Sequence, residues 1–216
     1  MNNIQLTPLV KKLLLLNIFV FILRLFFSQI IELFSLYHPT NVHFYPFQFF
    51  TYMFLHADPM HLIFNSLPLV FLGPLLEIFL GEKKLLVLYF VCGIGAALLH
   101  TGIFHIELTR EVERLSLEYD PSVLWDNINN SYGRMVGASG AVFGLLMACF
   151  MYFPEQQLRL LFIPFPIRIK HLVPVYAFIE LFMGIEKIQN DNIAHFAHLG
   201  GMVFAYIVIK YWQKNG

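Results

Sequence analysis

Spanning a bilayer as a helix takes about 20 mostly apolar residues. The chain offers six such stretches, at roughly 13–36, 59–80, 85–104, 138–153, 171–186 and 193–211. They are separated by "GEKK" at 81–84, a polar insert at 105–134, "PEQQLRLLFIPFPIRIKH" at 154–171 and "EKIQNDN" at 186–192. The 216 residues are 58% hydrophobic and 13% charged, with a mean hydropathy of +0.66, far more apolar than a soluble domain. The chain therefore reads as a polytopic, all-α membrane protein. Its formal net charge is zero and it has no basic block, which argues against a nucleic-acid partner. Cys92 and Cys149 both lie in apolar runs, where they read as packing residues rather than a disulfide or metal framework. Lys11-Lys12 before an apolar run mimics a signal peptide, but the run is long, carries Arg24 and lacks a small-x-small cleavage site, so it reads as a retained first span.

Orientation follows from the loop cations. One side collects Lys11, Lys12, Lys83, Lys84, Arg159, Arg168, Lys170, Lys210 and Lys214, and the other only Arg110, Arg114, Arg134 and Lys187. Both termini are expected to be cytoplasmic, in a bacterial inner membrane. The acidic 105–134 insert is then a partly helical outer loop. No internal repeat supports an inverted-repeat transporter.

Polar groups inside spans are costly, and each is a functional hypothesis. They are His56, His61, Asn65 and Glu77 on or near the second stretch, Ser139 on the fourth, Glu180 on the fifth, and His195 and His198 on the sixth. A helix from Ser139 to Phe153, stopped by Pro154, covers only about 22 Å of a core near 30 Å. It must begin below the outer surface. Counted from their own helix starts, His198 and Asn65 both lie about 9 Å down. Backbone that begins mid-membrane must be buried in protein or line a wet cavity, so a pocket open to the outer side is expected.

Gly140 and Gly144 form a small-residue stripe on the fourth helix, and Gly201 and Ala205 form another on the sixth. Such stripes let helix backbones approach closely. Ser139 borders one and His198 the other, so close packing would pair a hydroxyl with an imidazole as nucleophile and base. The Ser139 amide at a helix N-terminus would favour an oxyanion. His61 and Asn65, one turn apart on a neighbouring helix, are candidate further donors.

The chain resembles the rhomboid family of intramembrane serine proteases. The matching pieces are His61-x-x-x-Asn65, Gly137-Ala138-Ser139-Gly140 and "AHLGGMVFA" at 197–205, in order on the second, fourth and sixth helices. The resemblance implies a single six-transmembrane-helix rhomboid-like bundle over residues 1–216, with a Ser139–His198 dyad, cleavage in or near substrate transmembrane segments, and no cofactor or metal. Phe143 falls where the family commonly stacks an aromatic ring on the catalytic histidine, with Gly137, Gly140 and Gly201 in support. Expected partners are the lipid bilayer and membrane proteins whose outer spans are helix-destabilising. The loop between the first two helices is read as short and lacks the Trp-Arg pair many members carry, and the insert exceeds the minimal core.

The bland alternatives are a packing Ser139 and a metal held by His195 and His198 with His56 or His61, disfavoured because no carboxylate or thiolate joins them. Glu77 and Glu180 read as partners for backbone, hydroxyls or Arg24. "FYPFQFFTY" at 44–52 reads as an interfacial aromatic belt. Asn129-Asn130-Ser131 fits a glycosylation sequon by chance as easily as by use. Neither HExxH nor GxGD occurs, which argues against zinc and aspartyl proteases. The runner-up function is a catalytically silent rhomboid-like protein that binds transmembrane helices. Between the two histidines, His198 shares a face with Gly201 and Ala205 within about 60°, whereas His195 lies about 80° from Ala205. His195 is also about 4.5 Å nearer water, and reads as a wet, cavity-lining residue.

Overall fold

The computed structural model describes residues 5–116, 119–131, 134–159, 165–186 and 194–215, apart from the side chains at 128, 130 and 131. Within them run α1 (Pro8–Phe26), α2 (Gln29–Phe34), α3 (Gln48–Thr51), a 3-10 turn (Tyr52–Phe54), α4 (Pro59–Leu80) and α5 (Glu82–Leu115). Then come α6 (Pro121–Ser131), α7 (Ser139–Tyr152), α8 (Ile169–Glu186) and α9 (His195–Asn215). A two-stranded antiparallel ladder, β1 (Gln157–Leu158) with β2 (Ile167–Arg168), precedes α8. The helices α4 and α5 are long and apolar enough to cross a membrane. The 14 residues of α7 are apolar too, but rise only about 21 Å.

Local chemistry explains where these helices start. Pro59 opens α4 with a preset φ, and the carboxylate of Asp58 caps it by accepting the His61 N–H at 2.9 Å. At α6, Asp120 and Pro121 repeat the pattern, with the Asp120 carboxylate accepting the Ser122 N–H at 2.8 Å. The N-terminus of α1 is closed from outside its own sequence: Glu77, on α4, accepts the N–H groups of Leu9 and Val10 at 3.0 and 3.1 Å and the Thr7 hydroxyl. A carboxylate there suits the positive end of the α1 dipole. Among the described residues Arg24 reaches no acid; it donates to the carbonyl of His56.

The distribution of side chains is inverted relative to a water-soluble bundle. Phe19, Phe26, Phe64, Phe71, Phe178 and Phe182 are exposed, while Gln48, Asn65, Glu180, His195 and His198 are buried. An apolar surface of this extent marks a membrane or a protein partner. At the centre, α7 packs on α4, α5, α8 and α9, and α9 packs on α5, α7 and α8. This arrangement puts the shortest of the long helices in the middle, with its N-terminus reached from several sides.

Three expectations need correction. The 13–36 stretch is not one helix, because α1 ends at Phe26 and α2 follows as a separate short helix. The connection to α4 is therefore not short: it runs from 27 to 58 and contains α2, α3 and the 3-10 turn. The third long helix does not end near 104 but continues to Leu115, so the 105–134 insert begins as a direct extension of α5. Lys187, residue 193 and most of the 186–192 turn lie outside the described residues.

The insert is tied to the first connection at several points, and the Thr40 hydroxyl gathers three of the bonds there. Thr40 Oγ1 accepts from Trp125 Nε1 at 3.2 Å and Asn129 Nδ2 at 3.1 Å, and donates to His38 Nδ1 at 2.8 Å. That is the full hydrogen-bonding capacity of a hydroxyl. His105 on the α5 extension stacks on His38, with ring centroids 5.3 Å apart, and meets Trp125 edge-on. Asn129 Nδ2, the atom a glycan would modify, is thus engaged, and its residue is buried.

Candidate active site

Four segments converge on the start of α7. Leu36 and Met135 exchange backbone hydrogen bonds at 3.0 and 2.9 Å, which fixes the approach to the Gly137-Ala138-Ser139-Gly140 turn. The Gly137 N–H donates to the Tyr52 carbonyl at 3.0 Å, and the Tyr52 hydroxyl donates to the Gly93 carbonyl at 2.7 Å. Ser139 is the first residue of α7. Its N–H and those just after it have no acceptor within the helix.

The Gly140 and Gly201 backbones touch. A Cβ built on Gly201 would lie 1.8 Å from the Gly140 carbonyl oxygen. On the same face of α9, one turn earlier, His198 Nε2 lies 2.9 Å from Ser139 Oγ. The ring of Phe143 lies parallel to that of His198, centroids 4.1 Å apart and planes 4° from parallel. Ser139 is half-buried and His198 buried. An imidazole nitrogen at this distance from a hydroxyl can take its proton, and an aromatic plate on one face limits how the ring can turn.

His61 sits on the other side of the turn. The Ala57 N–H donates to His61 Nδ1 at 3.2 Å, which leaves the ring proton on Nε2. That Nε2 faces Gly137, close enough that a Cβ there would meet it at 2.7 Å. Asn65 is buried with its Nδ2 on the His61 carbonyl at 2.9 Å, and its Oδ1 has no hydrogen-bond partner among the described residues. Among the described residues, no hydrogen bond joins His61 or Asn65 to Ser139. His56 is buried beside His61, edge to face at 5.3 Å.

Gly137 has φ +121°, a conformation that strains any residue with a Cβ. Gly137→Ala is therefore expected to cost on the order of 1–3 kcal/mol in backbone strain, and to push the His61 ring aside. A fall in Tm, with Ser139 labelling by a small phosphonylating probe slowed at least tenfold, is the expected result. Wild-type labelling at wild-type Tm would mean the turn tolerates a side chain.

Helix α8 holds what the sequence did not resolve. Glu180 Oε2 lies 2.6 Å from His195 Nδ1 and 2.9 Å from His198 Nδ1, the second contact being off the line of a hydrogen bond. A carboxylate does, then, join the two histidines, contrary to the premise on which a metal was disfavoured. His195 is buried, 7% exposed, and carboxylate-bound rather than wet and cavity-lining. The signal in the sequence was a glutamate inside an apolar run, a position that demands a partner.

Known proteins are similar to this chain in sequence. The Rhomboid domain family matches residues 43–214. Rhomboid protease AarA of Providencia stuartii is 30% identical over 166 residues, covering 74% of this chain and 53% of that protein. RHOMBOID-like protein 1 of Arabidopsis thaliana is 28% identical over 160 residues, covering 74% of this chain and 32% of that one. The matched region spans about half of the first relative and about a third of the second. With that domain over most of its length and with apolar helices able to cross a bilayer, the chain belongs to the rhomboid family of integral membrane proteins.

Proposed function

We propose that the chain is an intramembrane serine endopeptidase, a single rhomboid-like domain of six spans over residues 1–216, that cleaves transmembrane segments of membrane proteins without a cofactor. The observation that carries the reading is the 2.9 Å contact of His198 Nε2 with Ser139 Oγ at the N-terminus of α7. In the reaction, Ser139 Oγ attacks a peptide carbonyl as its proton passes to His198 Nε2. The tetrahedral oxyanion is held by the Ser139 N–H and by His61 Nε2–H, with Asn65 Nδ2 turning from the His61 carbonyl to join them. His198 then returns the proton to the leaving amine, and a water activated by the same imidazole hydrolyses the acyl-enzyme. Supporting roles fall to Gly137, which shapes the turn, to Gly140 and Gly201, which bring the helices together, and to Phe143, which seats the imidazole.

The Lys and Arg distribution supports cytoplasmic termini, with the α7 N-terminus facing the outer half of the bilayer, and the membrane proposed is a bacterial inner membrane. Purified protein in liposomes, given a single-span substrate and a fluorophosphonate, tests the activity. Labelling of Ser139 together with cleavage is the expected result. Neither, in a folded protein, would instead favour a silent transmembrane-helix binder.

A site about 9 Å below the surface can accept only a chain whose helix opens, because a helical peptide bond is shielded by its own turns. Substrates are expected to carry Gly or Pro in the outer part of the span and a small residue before the cut. Replacing those helix breakers with Leu should slow cleavage by about fivefold for each Gly and about 100-fold for a Pro, since Gly costs about 1 kcal/mol and Pro about 3 kcal/mol relative to Ala inside a helix. Unchanged cleavage of the stiffened span would refute the unwinding requirement.

A further inference from the structure

Burying a carboxylate is expensive unless it is paired. The two buried glutamates among the described residues, Glu77 and Glu180, are paired differently. Glu77 closes the α1 N-terminus, away from the reacting groups. Glu180 faces the imidazole that faces Ser139. Its Oε2 takes His195 Nδ1 at 2.6 Å and lies 2.9 Å from His198 Nδ1.

We propose that Glu180 is a positioning residue for the proteolytic reaction, a third member that holds His198 with its proton on Nδ1 and its lone pair on Nε2. The inference rests on the reading of Ser139 and His198 as nucleophile and base. An imidazole with free choice between its two tautomers would spend part of its time with Nε2 protonated, unable to accept the Ser139 proton. A carboxylate at Nδ1 accepts only from an N–H, so it selects the productive form. Phe143 fixes the plane of the ring, and Glu180 fixes its direction within that plane. His195, by donating to the same Oε2, ties the carboxylate down from the turn above.

The proton balance is simple. As the Ser139 oxygen bonds to the substrate carbonyl carbon, its proton moves to His198 Nε2, giving an imidazolium with both nitrogens protonated. Glu180 stabilises that cation and takes no proton from it. The resting contact is off-line, and such contacts tighten once charge develops.

A shared metal is the competing use of the same three side chains, whose ligand atoms lie within 4.8 Å of one another. Zinc bonds of 2.0–2.1 Å in a tetrahedron would hold ligand atoms about 3.3 Å apart. The 2.6 and 2.9 Å separations here are those of direct contacts to the carboxylate.

The test compares wild-type, Glu180→Gln and Glu180→Asp proteins in liposomes, with a single-span substrate, before and after chelation and added zinc. Gln keeps the shape but offers an N–H that favours the wrong tautomer. It is expected to lower kcat between about 10²- and 10⁴-fold, with KM within about twofold of wild type and Tm little changed. If Gln does not fold, Asp carries the test: it keeps the charge, withdraws it by one methylene, and is expected to lower kcat about tenfold at unchanged Tm. A Gln or Asp variant with wild-type kcat would overturn the inference while leaving the protease reading intact. So would zinc inhibition of the wild type that Glu180→Gln abolishes at otherwise normal kcat, since it would assign the three side chains to a metal. A wild type that neither cleaves nor labels would sink the protease reading itself, and this inference with it.

Discussion

Ser139→Ala and His198→Ala are each expected to lower cleavage of a single-span substrate at least 100-fold, in line with the loss of a nucleophile or of its general base. The double variant should be little worse than either single one. Nucleophile and base act as one unit, so removing the second member removes almost nothing further. The contact of His198 Nε2 with Ser139 Oγ is the physical link that makes the effects non-additive. His195→Ala is expected to keep a measurable fraction of activity, because His195 touches Glu180 rather than the serine. Initial rates in liposomes at matched protein levels check all four variants. A dead His195→Ala beside an active His198→Ala would overturn the assignment of the base.

The second large effect is mechanical. Gly201→Ala adds one carbon, but at 1.8 Å from the Gly140 carbonyl oxygen and 2.7 Å from its carbon. The blocking atoms belong to a helix backbone, so no rotamer change can clear them. Restoring an ordinary C···O separation near 3.3 Å would push α7 and α9 apart by about 1.5 Å. His198 is one turn from Gly201 and Ser139 is next to Gly140, so the 2.9 Å contact would open beyond hydrogen-bond reach. A misplacement of about 1 Å at reacting groups can cost about 100-fold. The variant is therefore expected to lose at least that much activity and to fall well below the wild-type Tm, overpacking costing about 1–3 kcal/mol or more. Gly102→Ala is the control, because a Cβ at Gly102 meets nothing within 4 Å. It should leave rate and Tm unchanged or slightly raised. Equal tolerance at both positions would mean the close helix approach does not govern the site.

The parts legible in the sequence were those with a local signature. Small residues four apart on two helices carry their own physical meaning, and the 1.8 Å Cβ clash at Gly201 is the structural form of it. Pro59 after a capping Asp58 marks the start of α4. The same pair, Asp120-Pro121, marks the start of α6, which gives the partly helical character expected of the insert a definite boundary. The break after Phe26 has only a weak marker: "LFFSQIIELF" contains neither Gly nor Pro, Ser28 at the α2 N-cap makes no side-chain cap bond, and apolar length joins α1 to α2. Glu180 was conspicuous as a charge in an apolar run, but its partners are on another helix. Nothing in the spacing of α8 says which face of α9 it meets.

On the proposed mechanism, Ser139, activated by His198, is the nucleophile of a membrane-embedded protease. The most direct measurement is mass spectrometry of the purified protein in liposomes after exposure to a fluorophosphonate, with cleavage of a single-span substrate followed in the same samples. One covalent adduct is expected, on Ser139, forming in step with loss of cleavage; in His198→Ala both the adduct and the cleavage should be lost. An unlabelled Ser139 beside persistent cleavage, or cleavage that survives Ser139→Ala, would contradict that mechanism.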